Sequence, residues 1–240
     1  MWKKLRRFLV KAFLWFLGLT IFSVIVFRFM PVPFTFLMLQ RCVEQKMAGR
    51  EMRLYKKWVS LSKISNKMQL AVVTSEDQQF LWHHGFDLEA IEKAMKYNEK
   101  QKKRKRNKMR GASTISQQTA KNVFLFPARN FLRKGLEVYF TALIEIFWSK
   151  QRILEVYLNV IETGDGIYGV EAAAQYYFHK PAAKLTAPEA ALIAAVLPNP
   201  RKYNAGNPSG YVLRRQAFIL GQMMAWGGTL DFDMKPFEEE

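Results

Sequence analysis

The residues that could do chemistry are few and grouped. In "TSEDQQFLWHHGFD", Thr74 to Asp87, two adjacent acids, Glu76 and Asp77, stand with His83 and His84 among bulky aromatics. Further along, Lys121, Arg129, Arg133 and Lys134 bring cations close to one acid, Glu137. A carboxylate at a helix end facing a cleft is suited to take the proton of a poor nucleophile such as a sugar hydroxyl. Cations converging beside a helix N-terminus suit a pyrophosphate and offset the charge that grows on it as it leaves. Together the two groups could displace pyrophosphate from an anomeric carbon, with Glu76 as the base and Asp77 holding nearby cations. A plainer reading also fits. It makes Glu76 and Asp77 a solvated turn, His83 a packed histidine, and Arg133 with Glu137 and Lys134 with Glu137 surface pairs worth ~0.2–0.5 kcal/mol.

Between these groups lies "RGASTISQQTAKN", Arg110 to Asn122. Gly111 lets the backbone turn, and the helix that follows aims its free N–H groups and positive dipole end at whatever precedes it, which makes an anion site. Thr114 and Gln117 fit a capping box, so the Thr114 hydroxyl is spent on the helix start. Gln118, Lys121 and Asn122 share one helix face. An ordinary capped helix with polar residues outward explains the same pattern. Other chemistries fail on spacing. Adjacent histidines diverge on a helix and no H-E-x-x-H is present, so zinc does not fit; there is neither a G-x-S-x-G turn nor a phosphate-binding G-x-x-x-x-G-K loop. No acidic cluster demands a metal, and no cofactor is required. Glu137 is the carboxylate to which a divalent cation such as Mg²⁺ could be assigned.

Those side chains must be carried by helices. Ser65 caps a helix ending near Glu76, and Asp87 caps another that puts Leu88, Ile91 and Met95 on one face. Apolar repeats at Leu132, Leu136, Tyr139, Phe140, Leu143 and Phe147, and at Ile153, Leu154, Tyr157, Leu158 and Ile161, predict two more. "GDGIYGVEAAAQYYF" is a Gly-rich turn entering a helix, and "TAPEAALIAAVLPNP" is a short buried helix stopped by Pro198. No alternating strand run is convincing, so the domain is expected to be nearly all α. "KQKKRKRNKMR", Lys100 to Arg110, is a basic run without apolar periodicity; it fits a solvated loop, or contact with anionic headgroups or a pyrophosphate.

The chain begins with "MWKKLRR" and then "FLVKAFLWFLGLTIFSVIVF", in which Lys11 is the only charge. At ~1.5 Å per residue this covers the roughly 30 Å hydrocarbon layer. Its length and bulky continuation predict an uncleaved anchor rather than a signal peptide. Lys3, Lys4, Arg6 and Arg7 ahead of it keep the N-terminus cytoplasmic by the positive-inside rule. The net charge of +17, from 37 Lys and Arg against 20 Asp and Glu, favours an anionic partner. With the domain across the membrane, that partner is not nucleic acid. One cysteine, Cys42, excludes a disulfide framework. The expected organisation is a tail and anchor over 1–30, a membrane-proximal connector over 31–60 and one domain over 61–240.

"EDQQFLWHHG", "GASTISQQTAKN", "RKGLEVYFTALIE", "KQRILEVYLN" and "GIYGVEAAAQYYF" stand in the order of the motifs of peptidoglycan glycosyltransferases. From about residue 60 to about 225 the chain resembles the monofunctional, membrane-anchored transglycosylases related to the glycosyltransferase module of bifunctional penicillin-binding proteins; its length leaves no room for a transpeptidase domain. The resemblance implies a lysozyme-like α domain with one N-terminal transmembrane helix in the bacterial inner membrane, its catalytic part periplasmic. It implies polymerisation of the lipid-linked disaccharide-pentapeptide, lipid II, onto a growing lipid-linked glycan strand, with inversion and release of undecaprenyl pyrophosphate. Cell-division or elongation proteins are the partners that such an enzyme would meet. Carried over by motif, Glu76 is the base for the acceptor 4-hydroxyl and Glu137 the second carboxylate, near the donor pyrophosphate. Asp77, Phe80 and His83 complete the first motif, and Gly111, Ser113, Thr114, Gln117, Gln118, Lys121 and Asn122 the second. Arg129, Arg133 and Lys134 match the basic pyrophosphate contacts. Two other classes remain to be weighed: a lysozyme-like glycoside hydrolase or lytic enzyme, for which a pyrophosphate-binding cation cluster has no use, and a non-enzymatic basic membrane scaffold, which leaves the motifs without a role.

Overall fold

The computed structural model describes residues 1–104, 111–128 and 130–235, and those residues are mainly helical. Helix α1, Trp2–Phe29, is followed by α2, Phe36–Met47, which Thr35 opens by accepting a bond from the Met38 N–H. Then come α3 (Asn66–Glu76), α4 (Leu88–Lys103), α5 (Ile115–Phe124), α6 (Phe131–Phe147), α7 (Lys150–Val160), α8 (Val170–Phe178), α9 (Ala187–Val196) and α10 (Gly210–Ala225). Ser65, Asp87 and Asn130 each accept an N–H from the first turn of the helix they precede. Each such cap replaces a missing intrahelical partner and is worth about 1 kcal/mol.

The core is built where helices are apolar all round. Met68 to Val73 of α3 and Ala190 to Val196 of α9, apart from Leu192, are buried, as are Ile153, Leu154, Val156, Tyr157 and Leu158 of α7. Burying a Leu or Ile side chain contributes roughly 1.5–3 kcal/mol, so these helices form the frame on which the rest is hung. α10 packs on both α3 and α9, while α5 packs on both α6 and α7.

Two expectations need correcting. First, the face of α4 carrying Leu88 and Met95 is not packed: those side chains are 76% and 67% exposed, and the helix is seated through Ala94 and Gln101 instead. Ion pairs one turn apart, Glu89 with Lys93, Glu92 with Lys96 and Glu99 with Lys103, suit α4 to a solvated position. Second, a small sheet exists, in the order β1-β3-β2, from Tyr55–Lys56 (β1), Glu162–Gly164 (β2) and Ile167–Tyr168 (β3). β1 runs parallel and β2 antiparallel to β3. Strands of two or three residues are too short to show an alternating pattern. Gly169, which ends this unit and caps α8, has φ +79°, and a Cβ there would lie 2.8 Å from the Asn159 carbonyl oxygen. Only glycine fits.

α1 is long and apolar enough to cross a membrane, and its first half exposes its side chains. Its last turns are seated on the domain. Thr20 Oγ1 lies 2.7 Å from the Tyr139 hydroxyl, the Trp148 indole N–H donates to the Val24 carbonyl at 2.8 Å, and Arg152 donates to the carbonyls of Phe27 and Met30. Val24 is fully buried. The long apolar helix is therefore continuous with the fold at α6 and α7.

Candidate active site

Glu76 is the last residue of α3, because Asp77 leaves helical geometry with φ −162° and ψ 80° while its N–H still bonds the Val73 carbonyl. The Glu76 side chain is 14% accessible. Oε2 accepts from the Gln118 amide at 3.2 Å; Oε1 faces the Ser75 hydroxyl at 3.4 Å and the Arg215 guanidinium at 3.5 Å. Burial pushes the Glu76 carboxyl above its ordinary value, with Gln118 and Arg215 pulling the other way. The carboxylate can be reached but is poorly solvated, which makes it a stronger base than a free one.

Asp77 does different work. Its oxygens sit 2.9 and 3.0 Å from His83 Nε2, and Oδ2 accepts the Ile115 N–H at 2.8 Å. His83 Nδ1 accepts from the Gly85 N–H at 2.9 Å, so the network assigns the His83 proton to Nε2, which donates to Asp77. The anion at the N-terminus of α5 is thus this protein's own carboxylate, and the expected anion site there is already filled. Among the described residues, Asp77 pairs with His83 and a backbone N–H, where the sequence reading gave it nearby cations to hold. His83 is a packed histidine, and Phe80, fully buried with the Lys150 ammonium 4.9 Å over its ring, lies out of reach of a substrate. Thr114 and Gln117 are buried in the capping box, with Thr114 also donating to the Gly85 carbonyl at 2.7 Å. Ser113 is exposed beside them. Gly111 does not adopt a left-handed φ, and a Cβ there would meet open space, so neither its backbone angle nor close packing calls for glycine.

The second carboxylate is held by cations. Glu137, on α6, is buried and accepts from Arg133 Nη1 at 2.7 Å and from Lys134 Nζ at 2.5 Å. Arg133 Nε is buried without a partner among the described residues. Lys121, on α5, is open to solvent but lies in a concave wall that lowers its ammonium's pKa; both Glu137 and Glu76 act on it in the opposite sense. It therefore lies within electrostatic range of both acids. Lys121, buried Asn122 and Arg133 line a cavity of about 720 Å³, closed by Arg41 of α2 and by the apolar Leu37 and Phe126. Arg129 and residues 105–110 of the basic run lie outside the described residues. Among the described residues no group of three or more His, Cys, Asp or Glu gathers as a metal site, and both Glu137 oxygens are already on cations.

The sequence reading missed Arg215, Ser75 and Tyr157, whose hydroxyl donates to Gln118 Oε1 at 3.3 Å and so fixes the amide that meets Glu76. Nothing local marks them. Arg215 stands 139 residues from Glu76.

The transglycosylase family model matches residues 44–224. A biosynthetic peptidoglycan transglycosylase of Bacteroides thetaiotaomicron is 54% identical over 221 residues, 92% of this chain and 87% of that protein. One of Bdellovibrio bacteriovorus is 50% identical over 246 residues, covering 100% of this chain and 96% of the relative. One of Escherichia coli is 54% identical over 225 residues, 93% and 89% of the two. With Glu76 and the cation-bound Glu137 both acting on Lys121, and with these relatives over nearly its whole length, this chain belongs to the transglycosylase family and is a peptidoglycan glycosyltransferase.

Proposed function

We propose that the enzyme polymerises lipid II into glycan strands, with Glu76 as general base and the cations around Glu137 receiving the leaving pyrophosphate. The observation that carries this is the seat of Glu76: a cleft-facing carboxylate raised in basicity by burial, within electrostatic range of the same lysine as the cation-bound Glu137. The acceptor 4-hydroxyl gives its proton to a Glu76 oxygen as its own oxygen attacks the donor anomeric carbon. The bond from that carbon to the pyrophosphate oxygen breaks on the opposite face, so the configuration inverts. Lys134 and Arg133 then meet the charge that builds on the pyrophosphate, with Lys121 and Asn122 on the facing wall, an arrangement that favours the transition state over the ground state. Glu137 holds both cations on one oxygen each and so fixes their direction. Arg129 joins the same cluster on sequence grounds. No step draws on a metal.

α1 is proposed as a retained anchor with a cytoplasmic N-terminus, which places the catalytic cleft on the periplasmic side, where its outer turns dock on α6 and α7. The cation cluster disfavours a hydrolase, which has no pyrophosphate to bind. Incubating the full-length protein in detergent with lipid II and separating products by size is the test: long glycan is expected, and disaccharide release from preformed glycan without polymer would overturn the reading.

A further inference from the structure

The carboxylate proposed as the base faces a cation from the far end of the chain. Arg215, on α10, brings one Nη within 3.1 Å of Ser75 Oγ and 3.5 Å of Glu76 Oε1, and its Nε is buried without a partner among the described residues. A single nitrogen of the guanidinium thus reaches both side chains of the last turn of α3. A second tie binds the same two segments, from the Gln78 amide to the Gln222 side chain at 2.9 Å. The remaining groups facing Glu76 differ in kind: Gln118 of α5 is neutral, Tyr157 of α7 is held protonated by burial, and Asp77 repels. Lys121 of α5 acts from further off. Among the described residues, Arg215 is therefore the cation that meets Glu76 most closely.

The distance has chemical meaning. A guanidinium in tight bidentate contact occupies one lone pair on each carboxylate oxygen and strongly favours the ionised form. At 3.5 Å the positive charge still favours the ionised form, yet the oxygen stays free to receive the hydroxyl proton. We propose that Arg215 is a positioning residue for catalysis, holding Ser75 and Glu76 from α10 so that the carboxylate remains ionised and correctly aimed in a poorly solvated cleft. The inference rests on the reading of Glu76 as the base.

The experiment is polymerisation of lipid II by the full-length enzyme from about pH 5 to pH 9, for the parent, Arg215→Gln, Arg215→Lys and Glu76→Gln, each with a thermal melt. In the parent, the rate should rise with pH as Glu76 ionises. Lys121, whose pKa burial lowers, acts at the alkaline end and leaves that limb alone. In Arg215→Gln the acid limb should move up by one unit or more, with roughly tenfold loss near neutral pH that recovers as pH rises. Arg215→Lys keeps a charge but places it on a shorter side chain without the planar head that fixes its direction, so its limb should fall between the two, and it decides the matter if the glutamine variant fails to fold. An acid limb that coincides with the parent's in the folded variant, whatever the rate, overturns the role of Arg215 and leaves Glu76 as base. A Glu76→Gln variant that keeps the parent's limb overturns the base itself.

Discussion

Glu76 and Glu137 are the same side chain within electrostatic range of the same lysine, Lys121, yet their surroundings are opposed. Glu137 is buried with a cation on each oxygen, at 2.7 and 2.5 Å. Glu76 is buried nearly as well but meets one amide, one hydroxyl and a cation held at 3.5 Å. A carboxylate that takes a short charged bond on each oxygen is suited to hold those cations in place. One that is desolvated and loosely partnered is poised to accept a proton, at a cost in stability. The difference separates roles that the residue type cannot.

The largest expected effect tests the base. Glu76→Gln keeps size and most hydrogen bonding but cannot take the proton, so glycan formation should fall by roughly 10²–10⁴ while donor-site binding persists. Its stability gives an independent check. Because burial raises the folded-state pKa of Glu76, the stability tied to this group is full below the unfolded value and lost as pH rises through the folded one. At neutral pH the ionised side chain therefore destabilises the fold, and Glu76→Gln should melt no lower than the parent. Activity within about tenfold of the parent in a well-folded variant would end the case for Glu76.

Next, Lys134→Ala removes a cation from the cluster proposed to meet the pyrophosphate and should cost ~2–4 kcal/mol of barrier, or roughly 30- to 1,000-fold in rate, with a smaller effect on folding because Lys134 is half-exposed. Near-normal polymerisation would take the cluster out of the mechanism. Glu137→Gln should do the reverse of Glu76→Gln in a denaturation experiment. It strips the charge from a buried acceptor of two cations, so a loss of about 1–3 kcal/mol is expected, together with weaker donor binding. If both glutamine variants melt alike, the contrast between clamp and base fails. Smallest is Gly111→Ala, where a Cβ meets open space: stability should stay within about 0.5 kcal/mol and activity close to the parent's. A large loss of activity would show that backbone freedom at 111 matters to the cleft.

The helices and their starts were legible because a cap is a local event. Ser65, Asp87 and Thr114 each satisfy N–H groups within one turn, so sequence spacing alone locates them. The apolar anchor was equally plain, since length and composition are its only requirements. Arg133, Lys134 and Glu137 were visible as a group for the same reason, their spacing placing them on one helix face. What escaped were interactions between segments distant along the chain. Asp77 at the start of α5, Arg215 beside Glu76, and Thr20 and Trp148 fastening α1 to the domain are fixed by how helices cross, which no local pattern encodes. Burial belongs to the same class: Leu88 and Met95 of α4 stay in solvent, while the nearly patternless α3 fills the core. The sequence by itself determined which residues could do this chemistry; the tertiary structure decided which acid is left free to take a proton, because that depends on water excluded and charges supplied by helices far away in the chain.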